Sequence, residues 1–188
     1  MFDLRRSLRR IKPHRFTAPI RRRPRAELPY VTDPPAVGGH LLLDTCVYID
    51  VLQGKTPANV DTLLELRTSN HLAVCVAELT HGFARLDPRH PGTAPVCQAI
   101  IQAVVAIPPH RLETANGDVV IEAGILAGLV FRLCGLQPGR EVAALNDAIV
   151  YLHAMANGQT VLTRNVRDFD AMNQILPDGR ILFYDRID

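Results

Sequence analysis

The sequence predicts an α/β domain built on a mainly parallel sheet, and three observations lead there. Short apolar runs that read as buried strands alternate with longer stretches of helical pattern. Turn-forming clusters fall between them, at 87–92, at Pro108-Pro109 and at 137–140. The first apolar run, Leu41-Leu42-Leu43, ends on Asp44, as when a buried strand delivers a carboxylate to the edge of a sheet.

In chain order, residues 1–30 mix arginine clusters with Pro13, Pro19, Pro24 and Pro29. The prolines prevent a long helix and leave room for a short basic one over Phe2–Ile11. Residues 31–40, Val-Thr-Asp-Pro-Pro-Ala-Val-Gly-Gly-His, read as a linker. The chain thus divides into a basic, flexible N-terminal extension and linker, 1–40, and a domain at 41–188. Leu41–Asp44 reads as a strand, followed by helical stretches at 46–53 and 57–68. A second strand is expected over Leu72–Cys75, feeding a helix from Val76 to Leu86 that the Asp87-Pro88 cluster breaks. Helices are expected at 94–107 and 114–134, with Gly135 as a stop, and at 142–157, with Gly158 as the next. A strand at Thr160–Thr163, a short helix at 168–175 and a last strand at Arg180–Phe183 complete the pattern. Parallel sheets of this kind place their sites beyond the carboxyl ends of strands. Asp44 and the segment after Thr163 lie there.

The chain of 188 residues is long enough to bury a substantial core, and its apolar runs fall well short of a membrane span. A soluble cytoplasmic protein is expected. The net charge of +2 hides an asymmetry: residues 1–30 carry +8, and the rest of the chain carries −6. A basic arm on an acidic body suggests a polyanion or an acidic partner for the arm. A mitochondrial presequence and an over-extended start are two other readings of the arm; the prolines and the single Ser7 weaken the first. Cys46, Cys75, Cys97 and Cys134 form no C-x-x-C pair, so reduced thiols are expected. The seven histidines show no zinc-binding spacing.

The chemistry concentrates in acidic residues beside apolar segments. Asp44 follows three leucines; it could cap the next helix, or Thr45 could do so and leave Asp44 facing the cleft. Glu78 is expected on the first turn of a helix that follows a strand, where an acid also suits the helix dipole. Asp147 stands inside the apolar helix Val142–Val150, a costly place for an acid unless it is paired or bound to metal. Asp168 could cap a helix that begins near Phe169. Carboxylates packed in one cleft repel one another and call for a cation, and hard oxygen ligands suit Mg²⁺ or Mn²⁺. Rival arrangements are poorly supplied. A haloacid-dehalogenase-type phosphatase would need a second Asp where Cys46 stands, and the chain has no P-loop, no G-x-G-x-x-G and only Ser7 and Ser69 as serines.

Four motifs, Leu41-Leu42-Leu43-Asp44-Thr45, Glu78-Leu79-Thr80-His81-Gly82, Asn146-Asp147-Ala148-Ile149-Val150 and Leu162-Thr163-Arg164-Asn165-Val166-Arg167-Asp168-Phe169, occur in order. In these the chain resembles the PIN-domain family, and within it the VapC-type toxins of bacterial toxin–antitoxin pairs, over residues 41–188. The resemblance implies a three-layer α/β/α domain with a central parallel sheet. It also implies Mg²⁺- or Mn²⁺-dependent endoribonuclease activity, a homodimer and a cognate antitoxin. By position, Asp44, Glu78 and Asp147 match the three central acids, and the fourth falls at Asn165 or Asp168. Thr163 matches the polar residue that positions the last loop. Cys46 stands where relatives often have Asn, and Cys75 where they have Thr or Ser; a thiol beside the cleft raises the prospect of redox sensitivity. The arm at 1–40 has no counterpart in the short toxins of the family.

The expected reaction is hydrolysis of an RNA phosphodiester by metal-activated water. Asp44, Glu78, Asp147 and Asp168 would be the catalytic residues and metal ligands; Thr163, Asn165 and Arg164 would position water or substrate, with Arg167 a further phosphate contact. The competing reading is a catalytically weak PIN-like module that binds nucleic acid or protein.

Overall fold

In the computed structural model, which describes residues 3–188, the chain forms five parallel strands and eight α-helices among the described residues. Met1 and the Phe2 end of the expected basic helix lie outside them. The strands are β1 (Leu41–Leu43), β2 (Ser69–Leu72), β3 (Leu112–Glu113), β4 (Thr160–Thr163) and β5 (Arg180–Phe183). The helices are α1 (Leu4–Ile11), α2 (Thr45–Leu52), α3 (Ala58–Leu66), α4 (Ala73–Ala84), α5 (Thr93–Val105), α6 (Gly117–Leu133), α7 (Glu141–Ala156) and α8 (Val166–Ile175).

Three consecutive leucines make β1 because it is the central strand, covered on both faces and hydrogen-bonded on both edges. Leu42 pairs with Asn70 of β2 on one side and Val161 of β4 on the other. The strand order is β3-β2-β1-β4-β5, so the chain moves outward from β1 to β3 and then returns across β1 to β4 and β5. That reversal opens a crevice at the carboxyl ends of β1 and β4, the usual place for a ligand in such sheets. Helices cover the sheet. In α6, Val119, Ala123, Leu126, Ala127, Val130 and Leu133 recur at helical spacing and are buried, largely against α7.

Several boundaries differ from the sequence expectation. The second strand is Ser69–Leu72, not Leu72–Cys75. Its polar residues disguise it, yet Asn70 donates to Glu113 at 2.6 Å and His71 bonds the Tyr48 hydroxyl at 2.7 Å. Partners on other segments make those side chains acceptable in a strand. The apolar Ala73-Val74-Cys75 run then opens α4, because a short apolar run fits a strand or a helix equally well by pattern. The two-residue β3 was not expected at all. The last short helix begins at Val166 rather than 168.

The extension expected as a flexible tail is laid against the domain. Asp3 caps α1, with its Oδ1 accepting from the Arg6 backbone N–H at 3.1 Å. Ser7 and Ile11 are buried, and Arg10 pairs with Glu122 of α6 at 2.7 Å. Further on, the Ile20 N–H donates to the Leu133 carbonyl. Arg23 meets Asp170 of α8 through both its backbone N–H (2.9 Å) and its Nε (2.6 Å). Tyr30 bridges Phe183 in parallel register, so the arm covers the exposed edge of β5. The Arg/Pro composition hid this, because the apolar anchors Ile11 and Leu28 are few and far apart.

Candidate functional site

The crevice at the strand ends gathers all four sequence-predicted acids. Asp44 leaves β1 and is itself the N-cap of α2, its Oδ1 accepting from the Thr45 N–H at 2.7 Å. Capping and facing the cleft are therefore not alternatives. Its Oδ2 accepts from the Thr163 hydroxyl at 2.6 Å and lies 3.0 Å from the Cys46 thiol. Thr45, freed from capping, donates its hydroxyl to Glu78 Oε2 at 2.5 Å. Glu78 is on the second turn of α4 rather than the first, since that helix starts at Ala73. The dipole argument for its position lapses, and the Thr45 contact replaces it. Its other oxygen accepts from the Asn146 amide at 2.6 Å.

Asp147 follows Asn146 on α7, and its carboxyl is near the charges of Asp44, Glu78 and Asp168. The Asn165 amide nitrogen bridges two acids, at 3.0 Å from Asp147 Oδ2 and 3.1 Å from Asp168 Oδ2. Asn165 is also the N-cap of α8, its Oδ1 accepting from the Asp168 N–H. Asp168 is therefore not the cap; it sits in the first turn, 1% exposed, with Arg140 at 3.3 Å from Oδ2 and, among the described residues, no partner for Oδ1. Thr163 is fully buried and joins the halves, donating to Asp44 and accepting from the Asn165 N–H at 2.9 Å.

The electrostatics follow from this crowding. Burial raises the Asp44 carboxyl above its ordinary range; hydrogen bonds from Thr163, Cys46 and Thr45 work against that, and the charge of Glu78 adds to it. Asp147 is pushed well above the carboxylate range, first by burial and then by the charges of Asp44, Asp168 and Glu78. Asp147 is half-buried, and its carboxyl is crowded by these groups. Among the described residues, the one ion pair to the four acids comes from Arg140. Burial and the Asp44 charge likewise push the Cys46 thiol far up, so it keeps its proton and donates to Asp44. The expected redox sensitivity is thereby weakened, because the thiolate is the reactive form.

Arg164 points to different company. Its Nε pairs with Asp50 at 2.7 Å, an acid that is fully buried and also accepts from the Tyr184 hydroxyl at 2.8 Å. Arg167 donates to the Cys134 carbonyl at 3.0 Å. Sequence reasoning assigned no role to Asn146, Arg140 or Asp50. Asn146 adjoins Asp147 and could have been flagged from that; nothing local marks the other two.

No family model and no curated protein matches the sequence. Solved structures do match the fold. FitAcB from Neisseria gonorrhoeae is 20% identical with a TM-score of 0.55, over 77% of this chain and 96% of that one. DNA-bound VapBC from Salmonella typhimurium is 18% identical, TM-score 0.54, over 77% and 97%. VapBC2 from Rickettsia felis, bound to a DNA fragment from the promoter, is 17% identical, TM-score 0.54, over 78% and 99%. With five parallel strands, flanking helices and the crevice at the β1–β4 reversal, the chain has the PIN-type fold of these toxin–antitoxin structures.

Proposed function

We propose that this chain is a metal-dependent endoribonuclease that acts as the toxin of a toxin–antitoxin pair. The observation that carries the reading is the convergence of Asp44, Glu78, Asp147 and Asp168 at the strand ends, joined by Thr45, Asn146, Thr163 and Asn165. The donor set is all oxygen and fits a hard divalent cation, Mg²⁺ or Mn²⁺. The strong upward push on Asp147 and the unpartnered buried Oδ1 of Asp168 both mark a place short of positive charge. Among the described residues no three acids stand close enough to ligate one ion directly. The fit is to a cation that keeps part of its water shell, as Mg²⁺ does.

Asp44, Glu78, Asp147 and Asp168 would hold the metal, which when bound lowers the pKa of a water and offsets charge on the phosphorane-like transition state. The chain's own groups do the positioning. Thr163 fixes the Asp44 carboxylate, Thr45 and Asn146 fix Glu78, and Asn165 holds Asp147 and Asp168 a constant distance apart. No protein nucleophile is needed. The antitoxin partner follows from the fold's company in FitAcB and VapBC, and an apolar groove lined by Ile49, Leu52, Phe83, Leu86 and Val96 runs up to Glu78, where such a partner could reach the acids. A homodimer belongs to the same reading, and light scattering on the purified chain checks it.

The test is incubation of partner-free protein with a mixed RNA panel and Mn²⁺ or Mg²⁺, with EDTA and Asp147→Asn as controls. Cleavage that needs metal and vanishes in the variant is expected. Folded protein that binds RNA without cutting it would instead make the chain a binding module.

A further inference from the structure

A cleft of about 420 Å³ adjoins the acid cluster and is lined by Arg22 and Tyr30 of the arm together with Cys46, Arg164, Asn165 and Arg167. Two of these residues are shared with the site: Asn165 bonds Asp147 and Asp168, and Cys46 bonds Asp44. One wall of the cleft is therefore shared with the acid cluster. Three arginines dominate the rest of its lining, with Tyr30 and Val166. Asp185 also lines it, but that carboxylate is matched by Arg25 at 2.5 Å.

The three arginines are held in different ways. Arg164 is pinned by its Nε to the buried Asp50, which Tyr184 also bonds. Arg167 stands on the first turn of α8 and is tied to the Cys134 carbonyl. Arg22 is exposed and makes no ion pair among the described residues, yet its backbone is fixed by its neighbours. On one side, the Arg21 carbonyl accepts from Gln174 at 3.0 Å; on the other, Arg23 is clamped to Asp170 and Asn173. A tail attracting RNA by diffuse charge would need none of these anchors. Here they carry the Arg22 guanidinium to a cleft beside the acid cluster.

We propose that Arg22, Arg164 and Arg167 form a phosphate-binding groove for a single-stranded RNA, so that the arm is part of the substrate site. The inference rests on the ribonuclease reading for the nature of the strand. The acid cluster repels a polyanion, and this basic wall supplies the attraction that brings the backbone alongside it. Guanidinium groups suit the contact because they present several donors in a plane to phosphate oxygens.

The test uses the full chain in an Asp147→Asn background without added metal, so that RNA is bound and not cut. Affinity for a labelled single-stranded RNA is measured across a salt series for Arg22→Ala and, as a control of equal charge, Arg5→Ala on the exposed face of α1. Arg22→Ala is expected to weaken binding several-fold more than Arg5→Ala. It should also lower the slope of log K against log salt by about 0.7, the value for one lost phosphate contact on a single strand. Arg22→Lys should restore most of the slope, and a thermal melt equal to the parent's would show the fold intact. Equal losses for Arg22→Ala and Arg5→Ala would overturn the groove and leave the arm as diffuse charge. Arg22-dependent binding tighter for duplex DNA than for the RNA strand would overturn the assigned occupant. Wild-type protein that fails to cut RNA but shows the Arg22 effect would sink the ribonuclease reading and keep the groove.

Discussion

Removing the charge of Asp147 should act in opposite directions on folding and on activity. Its carboxyl is raised in the folded protein, so over the interval between the ordinary carboxylate pKa and the raised one the native state binds more protons than the unfolded chain. Stability therefore falls as pH rises through that interval, and the full penalty is present above it. Asp147→Asn carries no such penalty. In EDTA the variant should have a higher urea midpoint than wild type at neutral pH, with the gap closing as pH falls toward the ordinary carboxylate range. Added Mn²⁺ should reverse the order: at a hundred times its Kd a ligand stabilises the native state by about 2.7 kcal/mol, which wild type gains and the variant largely forgoes. Paired thermal melts with and without Mn²⁺ check this. Asn165→Ala should cost both the bridge between Asp147 and Asp168 and the cap of α8, the cap alone about 0.5–2 kcal/mol. Asp147 was legible because an acid amid Ala144, Ala148, Ile149 and Val150 is conspicuous. The double duty of Asn165 was not, because its two acceptors lie on separate helices.

At the scale of elements, the arm and the two outer strands hold the predictions. Asp170 is fully buried on α8, and Arg23 is the cation that faces it. Arg23→Ala removes the cation and leaves that carboxylate with the backbone N–H of residue 23 at 2.9 Å and the Gln174 amide at 3.0 Å. Breaking such a pair typically costs about 3–5 kcal/mol, and the partial exposure of Arg23 places this case at the lower end. Urea unfolding checks it. Removal of residues 1–32 should do more, uncovering the β5 edge at Phe183 and the surface under Ile11 and Leu28. The truncated chain is expected to aggregate at concentrations where the full chain stays monodisperse, as light scattering would show. Elements with their own pattern were readable: β1, β4, β5, α6 and α7 fall within a residue or a few of expectation. β2 and β3 were not, because Ser69-Asn70-His71 and Glu113 are polar and their hydrogen-bonding partners are supplied by other elements.

For the whole molecule, the charge asymmetry has a structural use. Part of the arm's positive charge is matched by the body, through Arg10 with Glu122, Arg23 with Asp170 and Arg25 with Asp185. These pairs fold the arm back, and of the remaining arm arginines Arg22 lines the cleft beside the acid cluster. No helix among the described residues is long and apolar enough to cross a membrane. If the chain is a toxin, expressing it alone in bacteria should arrest growth, whereas Asp147→Asn should not. A companion gene whose product relieves the arrest would identify the partner, and equal arrest by the variant would separate toxicity from the acid cluster.

By itself, the sequence determined the α/β architecture and marked four acids as candidates, because strand–helix alternation and an acid placed against apolar neighbours are local patterns. It left open which residue caps α2 and whether Asn165 or Asp168 completes the cluster, and it put Glu78 on the first turn of α4. Tertiary structure answers the first and corrects the last: Asp44 caps α2 and faces the cleft, and α4 begins at the end of β2, which puts Glu78 on its second turn; Asn165 is hydrogen-bonded to Asp168. It also turned the arm from an expected tail into a wall of the crevice. The physical reason is common to these cases. Each depends on a hydrogen bond or ion pair between segments far apart in the chain, such as Thr45 with Glu78 or Arg23 with Asp170, and local periodicity carries no record of such a partner.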